Sequence, residues 1–187
     1  MVKTEEILNS KSLSHLNKLI SICKKCVLYK IKTCDVPGDG SSKAKVLFIG
    51  EAPGREEDFL GKPFVGRAGK FLDFLLKEVG IKRKDMFITN LVKHRPPKNR
   101  KPRLKEINAC FPYLEKQIEI IKPNLIILLG EYPLKVFFKD KEISETHGKF
   151  LESGKALYLS LYHPAAAIYN QKLKNILIRD FKKIKNF

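Results

Sequence analysis

The sequence predicts an α/β protein built around a parallel sheet. Four short apolar runs, rich in β-branched or large side chains, have the length and composition of buried strands. Apolar residues at helical spacing lie between these runs. Strands that alternate with helices along a chain form parallel sheets, because each crossover helix returns the chain to the same end of the sheet.

Each predicted strand is bounded by turn-forming or polar residues. The first three are expected to be buried on both faces, because they are apolar without alternation. In chain order the four strands are Val46–Ile49, Met86–Thr89, Leu125–Leu129 and Ala156–Leu161.

Two helices are predicted between these strands. The first carries its apolar face on Phe71, Leu72, Leu75, Leu76 and Val79, and it ends at Gly80. The second continues through Pro112 and carries its apolar face on Ile107, Phe111, Leu114, Ile118 and Ile121. The length of 187 residues and the lack of a Pro/Gly/Ser-rich linker predict a single domain, 1–187.

The chain is strongly basic. Its 37 Lys and Arg residues exceed its 20 Asp and Glu residues by 17, which favours a polyanionic partner such as nucleic acid. A lysine-rich surface adapted to high temperature is the alternative explanation. The N-terminus lacks the layout of a secretory signal and no apolar run is long enough to span a bilayer, so we expect a cytoplasmic, nucleoid-associated protein without membrane contact.

Polar residues follow the predicted strands directly. Glu51 comes after the first strand, Asn90 after the second and His163 after the fourth. The carboxyl ends of parallel strands lie along one edge of a sheet, where ligands bind. We therefore expect these three side chains to meet, although more than 100 residues separate the first from the last.

Five motifs in order then resemble the family 4 uracil-DNA glycosylases of thermophilic bacteria and archaea. The likeness extends in register from about Cys23 to Tyr169. The resemblance implies a three-layer α/β/α sandwich with a central, mostly parallel four-stranded sheet, and an enzyme that flips uracil out of DNA and hydrolyses its N-glycosidic bond. The motifs are Gly50–Gly54 (GEAPG), Gly61–Gly66 (GKPFVG), Ile88–Asn90 (ITN), Arg95–Pro97 (RPP) and His163–Ala165 (HPA).

The same resemblance implies roles for the residues at the strand ends. Glu51 would lie beside the attacking water and the positively charged sugar, and His163 would hydrogen-bond uracil O2 as negative charge grows there. Asn90 would match the donor and acceptor of uracil N3–H and O4, which cytosine reverses.

Two further residues are assigned to the pocket by resemblance. Phe64 corresponds to the aromatic residue on which the extruded base stacks, with core packing as the alternative. Glu57 resembles a second pocket carboxylate, with a solvated acidic loop, Glu56–Asp58, as the alternative.

DNA contacts are expected from two segments. The span Lys93–Lys105 is basic and proline-stiffened, and Arg95, Lys98 and Arg100 are its candidate phosphate ligands. After His163, either Ile168 or Tyr169 could fill the gap that the flipped base leaves, although relatives commonly carry arginine where Tyr169 stands.

Four cysteines in an intracellular protein favour metal ligation over disulfides. The family generally carries a 4Fe-4S cluster on four cysteines, and Cys23, Cys26 and Cys110 match three of them. His94, sixteen residues before Cys110, stands at the fourth position, and imidazole can replace thiolate on iron. Cys34 is the rival ligand, and zinc is the alternative metal for such a set.

Two other functions compete with this one. A metal-stapled nucleic-acid-binding protein without catalysis would have no need of His163, and a glycosylase of broader deaminated-base specificity tends to lose the motif glutamate. Because no lysine stands in the active-site motifs, a monofunctional enzyme is expected. Single- or double-stranded DNA containing uracil is the expected partner of a monomer, and the sequence does not identify a sliding-clamp contact.

Overall fold

The computed structural model describes residues 2–187 and contains a six-stranded sheet. The strand order is β1-β3-β2-β4-β6-β5, and the four inner strands run parallel while both edge strands run antiparallel to their neighbours. The strands are β1 (Asp39–Gly40), β2 (Val46–Gly50), β3 (Phe87–Asn90), β4 (Leu125–Leu129), β5 (Phe150–Ser153) and β6 (Ala156–Leu161).

All four predicted strands are confirmed as the inner strands of this sheet. The two edge strands were missed, and for a physical reason. β1 has only two residues, and β5 is mostly exposed, so neither carries an apolar run. Short edge strands gain their regularity from the neighbouring strand rather than from their own composition.

Helices cover both faces of the sheet, which confirms the three-layer arrangement. Phe48 of β2 packs into the face covered by α4, α8 and α9, while Leu47 and Ile49 pack into the opposite face beneath α5 and α6. The helices are α1 (Thr4–Leu8), α2 (Leu13–Ser21), α3 (Arg55–Leu60), α4 (Arg67–Glu78), α5 (Leu104–Ile121), α6 (Glu131–Phe137), α7 (Ile143–Thr146), α8 (Pro164–Ala167) and α9 (Gln171–Phe181).

Both predicted helices are present, as α4 and α5, and α5 does continue through Pro112. The N-terminal helices α1 and α2 form a small separate core against α5, with Ile7, Leu16 and Tyr113 fully buried. Within residues 2–187, no helix combines the length and the apolar composition needed to cross a bilayer.

The register of the sheet places the ends of β2 and β3 side by side. Gly50 pairs with Asn90, and both residues end their strands at the same edge. The loops that follow β2, β3, β4 and β6 therefore open at one rim of the molecule, where the candidate site lies.

Candidate active site and cysteine cavity

A cavity of about 400 Å³ opens at the carboxyl edge of the sheet. We call it the cleft. The structure brings Glu51, Asn90 and His163 together on its wall, as the order of strand ends predicted. Glu57 and Phe64 line it as well, so one cleft collects side chains from five separate segments of the chain.

Asn90 presents an unpaired acceptor inside the cleft. Its side-chain oxygen is buried and has no hydrogen-bond partner within residues 2–187. Gly50 makes room for it, since a Cβ on Gly50 would lie 2.4 Å from that oxygen and 2.6 Å from the Phe64 ring. A buried acceptor without a donor is unfavourable, so this position suits a ligand that supplies an N–H.

Phe64 is held in the cleft by its backbone as well as by packing. Its φ angle of 51° lies in the left-handed region, and its ring centroid is 5.6 Å from that of His163. The guanidinium of Arg83 donates to the carbonyls of Pro63 and Phe64, at 2.6 and 3.1 Å. Gly69 is required beneath, because a Cβ there would collide with the Phe64 carbonyl at 1.8 Å.

Sequence reasoning missed Arg83. It lies in the turn between α4 and β3, outside the motifs, and a lone arginine in a basic chain gives no signal of its own. Only the fold reveals that it fixes the backbone on both sides of the stacking position.

Glu57 is a buried clamp between two loops rather than a solvated acid. Its carboxylate accepts the backbone N–H groups of Gly54, Val65 and Gly66 at 2.8 to 3.0 Å. These bonds tie the GEAPG loop to the GKPFVG loop, so Glu57 sets the shape of the cleft while its oxygens are already occupied.

His163 is prepared as a neutral donor. Its Nδ1 accepts the backbone N–H of Ala165 at 3.1 Å, which assigns the ring proton to Nε2. Burial lowers its pKa to about 4, so the imidazole is uncharged at neutral pH. A neutral N–H donor of this kind suits an oxygen that becomes negative during the reaction, because its hydrogen bond stabilises the new charge.

Glu51 is half-buried at the cleft wall. Burial raises the pKa of this carboxyl, and the positive charge of Lys101 opposes that effect. Lys101 thereby helps to keep a partly buried carboxylate ionised, a role that its place in a basic run did not reveal.

In the basic segment after Asn90, some side chains form hydrogen bonds within the protein and others are exposed to solvent. Arg100 lines the cleft but donates to both oxygens of Glu106, at 2.8 and 2.6 Å, and Arg95 donates to Asn99 at 2.7 Å. Lys98 is exposed in a left-handed turn. Of the three predicted phosphate ligands, Lys98 is exposed, whereas Arg95 and Arg100 are half-buried.

Ile168 and Tyr169 are the two candidates for the wedge, the side chain that fills the gap left by the flipped base. They differ in exposure. Tyr169 is 79% exposed, and Arg67 donates to its hydroxyl with the guanidinium carbon 4.8 Å from the ring centroid. Ile168 is half-buried among Arg67, Phe71 and Phe74. The geometry favours Tyr169 as the side chain that reaches beyond the surface.

The remaining predicted residues lie around a second, nearly closed cavity. Cys23, Cys26, His94 and Cys110 all line this cysteine cavity, which has about 10 Å³ of free volume. Cys34 is elsewhere, with its sulfur 3.7 Å from the Phe59 carbonyl. The arrangement supports His94 over Cys34 as the fourth ligand.

His94 carries a hydrogen bond typical of a metal-binding imidazole. Its Nε2 lies 2.9 Å from Oδ1 of Asp35. Although burial alone would raise the pKa of Asp35, hydrogen bonds from His94 and Lys32 outweigh it and lower that pKa. A carboxylate that orients the ring in this way would leave Nδ1 available to a metal.

Three thiols and one imidazole line the cysteine cavity, and these are ligand types that iron–sulfur clusters use. Burial raises the pKa of the Cys26 thiol and raises that of Cys110 to about 12, so both thiols are protonated here and would lose their protons on binding a metal. The Tyr113 hydroxyl on the same wall is buried and has no hydrogen-bond partner within residues 2–187. Across those residues no three Cys, His, Asp or Glu side chains already converge on one point. The donor set fits such a group.

A mostly parallel α/β sheet with a cleft lined by glutamate, asparagine, phenylalanine and histidine is the arrangement that the resemblance to the DNA glycosylase class implied. The sequence model of the uracil DNA glycosylase superfamily matches residues 37–183. The type-4 uracil-DNA glycosylase of Saccharolobus solfataricus is 50% identical over 173 residues, covering 87% of this chain and 80% of that protein.

Two further relatives are also type-4 uracil-DNA glycosylases. The type-4 uracil-DNA glycosylase of Archaeoglobus fulgidus is 44% identical, covering 93% of this chain and 92% of its own. That of Thermotoga maritima is 40% identical and covers 92% of both. The chain belongs to the uracil DNA glycosylase superfamily, within its type-4 family.

Proposed function

We propose that this protein is a monofunctional DNA N-glycosylase that flips uracil out of DNA, hydrolyses its N-glycosidic bond and leaves an abasic site for base excision repair. The observation that carries this proposal is the unpaired side-chain oxygen of Asn90 in the same cleft as the neutral His163. Uracil offers an N–H to the first and an oxygen to the second.

Base recognition follows from these groups. The flipped base stacks on Phe64, and its N3–H donates to Asn90 while the Asn90 amide donates to O4. Cytosine presents an acceptor at N3 and a donor at the neighbouring position, so it would leave the buried acceptor unpaired.

Bond cleavage uses His163 and Glu51. The C1′–N1 bond breaks with its electron pair on the base, and Nε2–H of His163 donates to uracil O2 as that charge develops. Glu51, ionised with help from Lys101, stabilises the positive sugar and orients the water whose oxygen bonds to C1′. The water gives up a proton, and the departing uracil anion takes one up.

The DNA contacts in this proposal come from Lys98, Arg95 and Arg100, with Tyr169 rather than Ile168 as the wedge. The exposure of Lys98 and of Tyr169 supports these roles. A phosphate-binding loop that is already braced by its own ion pair loses little freedom on binding DNA.

Cys23, Cys26, His94 and Cys110 would hold the 4Fe-4S cluster, which when bound supplies a cross-link between the N-terminal segment, α5 and the loop after Asn90. Zinc is the alternative metal. The chain acts as one domain and as a monomer in this proposal, on the genomic DNA of the cytoplasm. The continuous sheet and the packing of α1 and α2 on α5 support the single domain.

The test incubates iron-replete protein, in EDTA, with labelled oligonucleotides that carry uracil opposite guanine, opposite adenine or unpaired, followed by alkali. Strand breaks that appear only after alkali are expected. Oligonucleotides with hypoxanthine or thymine in place of uracil measure the breadth of specificity. An absence of abasic sites in every substrate would instead indicate a nucleic-acid-binding protein without catalysis.

A further inference from the structure

A second groove, larger than the cleft, lies between α5 and α6. Its volume is about 770 Å³, against about 400 Å³ for the cleft. We call it the α5–α6 groove. Its floor and walls are apolar and aromatic, formed by Leu104, Ile107, Phe111, Tyr132 and Val136.

Leu104 is an exposed apolar residue of this groove. It stands in the first turn of α5 and is 70% exposed. An exposed leucine beside two aromatic rings leaves an apolar surface in contact with water, and such surfaces commonly bind a partner. None of the roles proposed above uses it.

The charged side chains that line the groove are all basic. The charged side chains that line it within the described residues are Arg103, Lys135 and Lys139. Lys135 is paired with Glu131 and Glu142, whereas Arg103 and Lys139 are exposed to solvent. An apolar floor with basic walls matches a partner that is both flat and anionic.

The groove lies close to the cleft, and Lys101 links the two. Arg100 lines the cleft and Pro102 lines the groove, and Lys101 lies between them. The Nζ of Lys101 is 5.0 Å from the Tyr132 ring centroid in the groove, while its charge acts on Glu51 in the cleft. A strand that places one nucleotide in the cleft and leaves it along Lys101 would reach this groove.

We propose that the α5–α6 groove binds a single-stranded stretch of the substrate next to the target nucleotide, with bases against Tyr132, Phe111 and Leu104 and phosphates at Arg103 and Lys139. This rests on the proposed function of the cleft. Bases in a duplex are stacked on one another and do not reach such a floor, whereas any unpaired base offers a flat face. An acidic protein segment is the competing occupant.

Such a groove would give the enzyme a preference for longer unpaired DNA, which its sequence did not reveal. Unpaired DNA that is long enough to fill both the cleft and the groove should bind more tightly than DNA that fills the cleft alone. Stacking of one or two bases together with two phosphate contacts corresponds to about tenfold in affinity or more.

The experiment measures single-turnover excision from single-stranded oligonucleotides of about five and about fifteen nucleotides, with uracil at the same position, since strand-binding sites of this kind cover about 4–16 nucleotides. Leu104→Glu and Arg103→Glu change exposed side chains and should leave the fold intact. Leu8→Glu is the matched control, because Leu8 is 52% exposed on α1, in the separate N-terminal core.

We expect the unaltered protein and Leu8→Glu to bind the long substrate about tenfold more tightly than the short one. The two groove variants should lose this advantage while keeping the maximal rate on the short substrate. Photocrosslinking from a 5-bromouracil placed at each flanking position should label the peptide that contains Tyr132.

A long-substrate advantage that survives both substitutions, or flanking crosslinks that never reach α5 or α6, would overturn the groove proposal. Failure of the proposed function looks different, because no oligonucleotide would then yield abasic sites. The crosslinks do not depend on turnover, so they report on the groove in either case.

Discussion

The ammonium of Lys93 lies 2.8 Å from the main-chain carbonyl of Asn90, inside the protein. It also donates to Thr89 at 2.7 Å and to Gln117 at 2.8 Å, so all three of its protons are used. Burial lowers its pKa to about 8. Gln117 belongs to α5, the helix that also carries Cys110, so a single side chain joins the residue proposed to recognise the base to the helix that carries a proposed cluster ligand.

Replacing Lys93 with methionine keeps the length of the side chain but removes its bond to the Asn90 carbonyl and leaves the Gln117 oxygen with the Thr89 hydroxyl, 3.2 Å away, as its donor. We expect a loss of about 2–5 kcal/mol in the free energy of unfolding, because three buried hydrogen bonds of a charged donor are lost. Thermal and denaturant unfolding measure this change. Lys77→Met on the exposed side of α4 is the control and should alter stability by less than about 0.5 kcal/mol.

Asn90→Asp tests base recognition. Aspartate still accepts from N3–H but offers no donor to O4 and repels it, so uracil excision should fall by about 10²-fold or more. Asn175→Asp, an exposed position on α9, should retain full activity. Excision that survives in Asn90→Asp would mean that the side-chain amide of Asn90 does not donate to uracil O4.

The pH dependence of the excision rate should report the ionisation of Glu51, which the positive charge of Lys101 favours. His163 has a pKa of about 4, so it stays neutral as the pH rises from 5 to 8 and adds no transition there. Glu51 has a raised pKa and must be ionised, so the rate should fall on the acidic side as Glu51 takes up a proton. Lys101→Met removes the positive charge that favours the carboxylate, and its acidic limb should move to higher pH.

Single-turnover rates at saturating DNA measure that shift without interference from weaker binding. Lys149→Met, at the exposed residue just before β5, should leave the profile unchanged. An acidic limb at the same pH in Lys101→Met and in the unaltered protein would remove Glu51 as its source.

The fourth cluster ligand can be tested by two substitutions. His94→Ala should lower the iron content, the visible absorbance and the thermal stability, since His94 lines the cysteine cavity. Cys34→Ala should change none of these, because its sulfur lies against the Phe59 carbonyl. Full iron content in His94→Ala would exclude His94 from the ligand set.

Tyr169→Ala should separate duplex from single-stranded substrates. A wedge compensates for lost stacking only in a duplex, so excision from duplex DNA should fall several-fold while that from single strands changes little. Ile168→Ala is the internal comparison, and a larger duplex defect there would assign the wedge to Ile168 instead.

The sequence by itself determined the inner sheet and the membership of the cleft. Apolar runs are long enough at β2, β3, β4 and β6 to specify strands without help, and the polar residues that follow them share one edge because parallel strands end together. The edge strands β1 and β5 lacked such a pattern, because their regularity comes from their neighbours.

Only the tertiary structure decided which polar groups are free and which are already bonded. Glu57 and Arg100 have their charges satisfied by partners, Asn90 keeps an open acceptor, and Arg83 proves to hold the Phe64 loop. A hydrogen bond or ion pair depends on a partner brought close by the folded chain, and local patterning carries no record of such partners when they come from distant segments or lie outside the motifs.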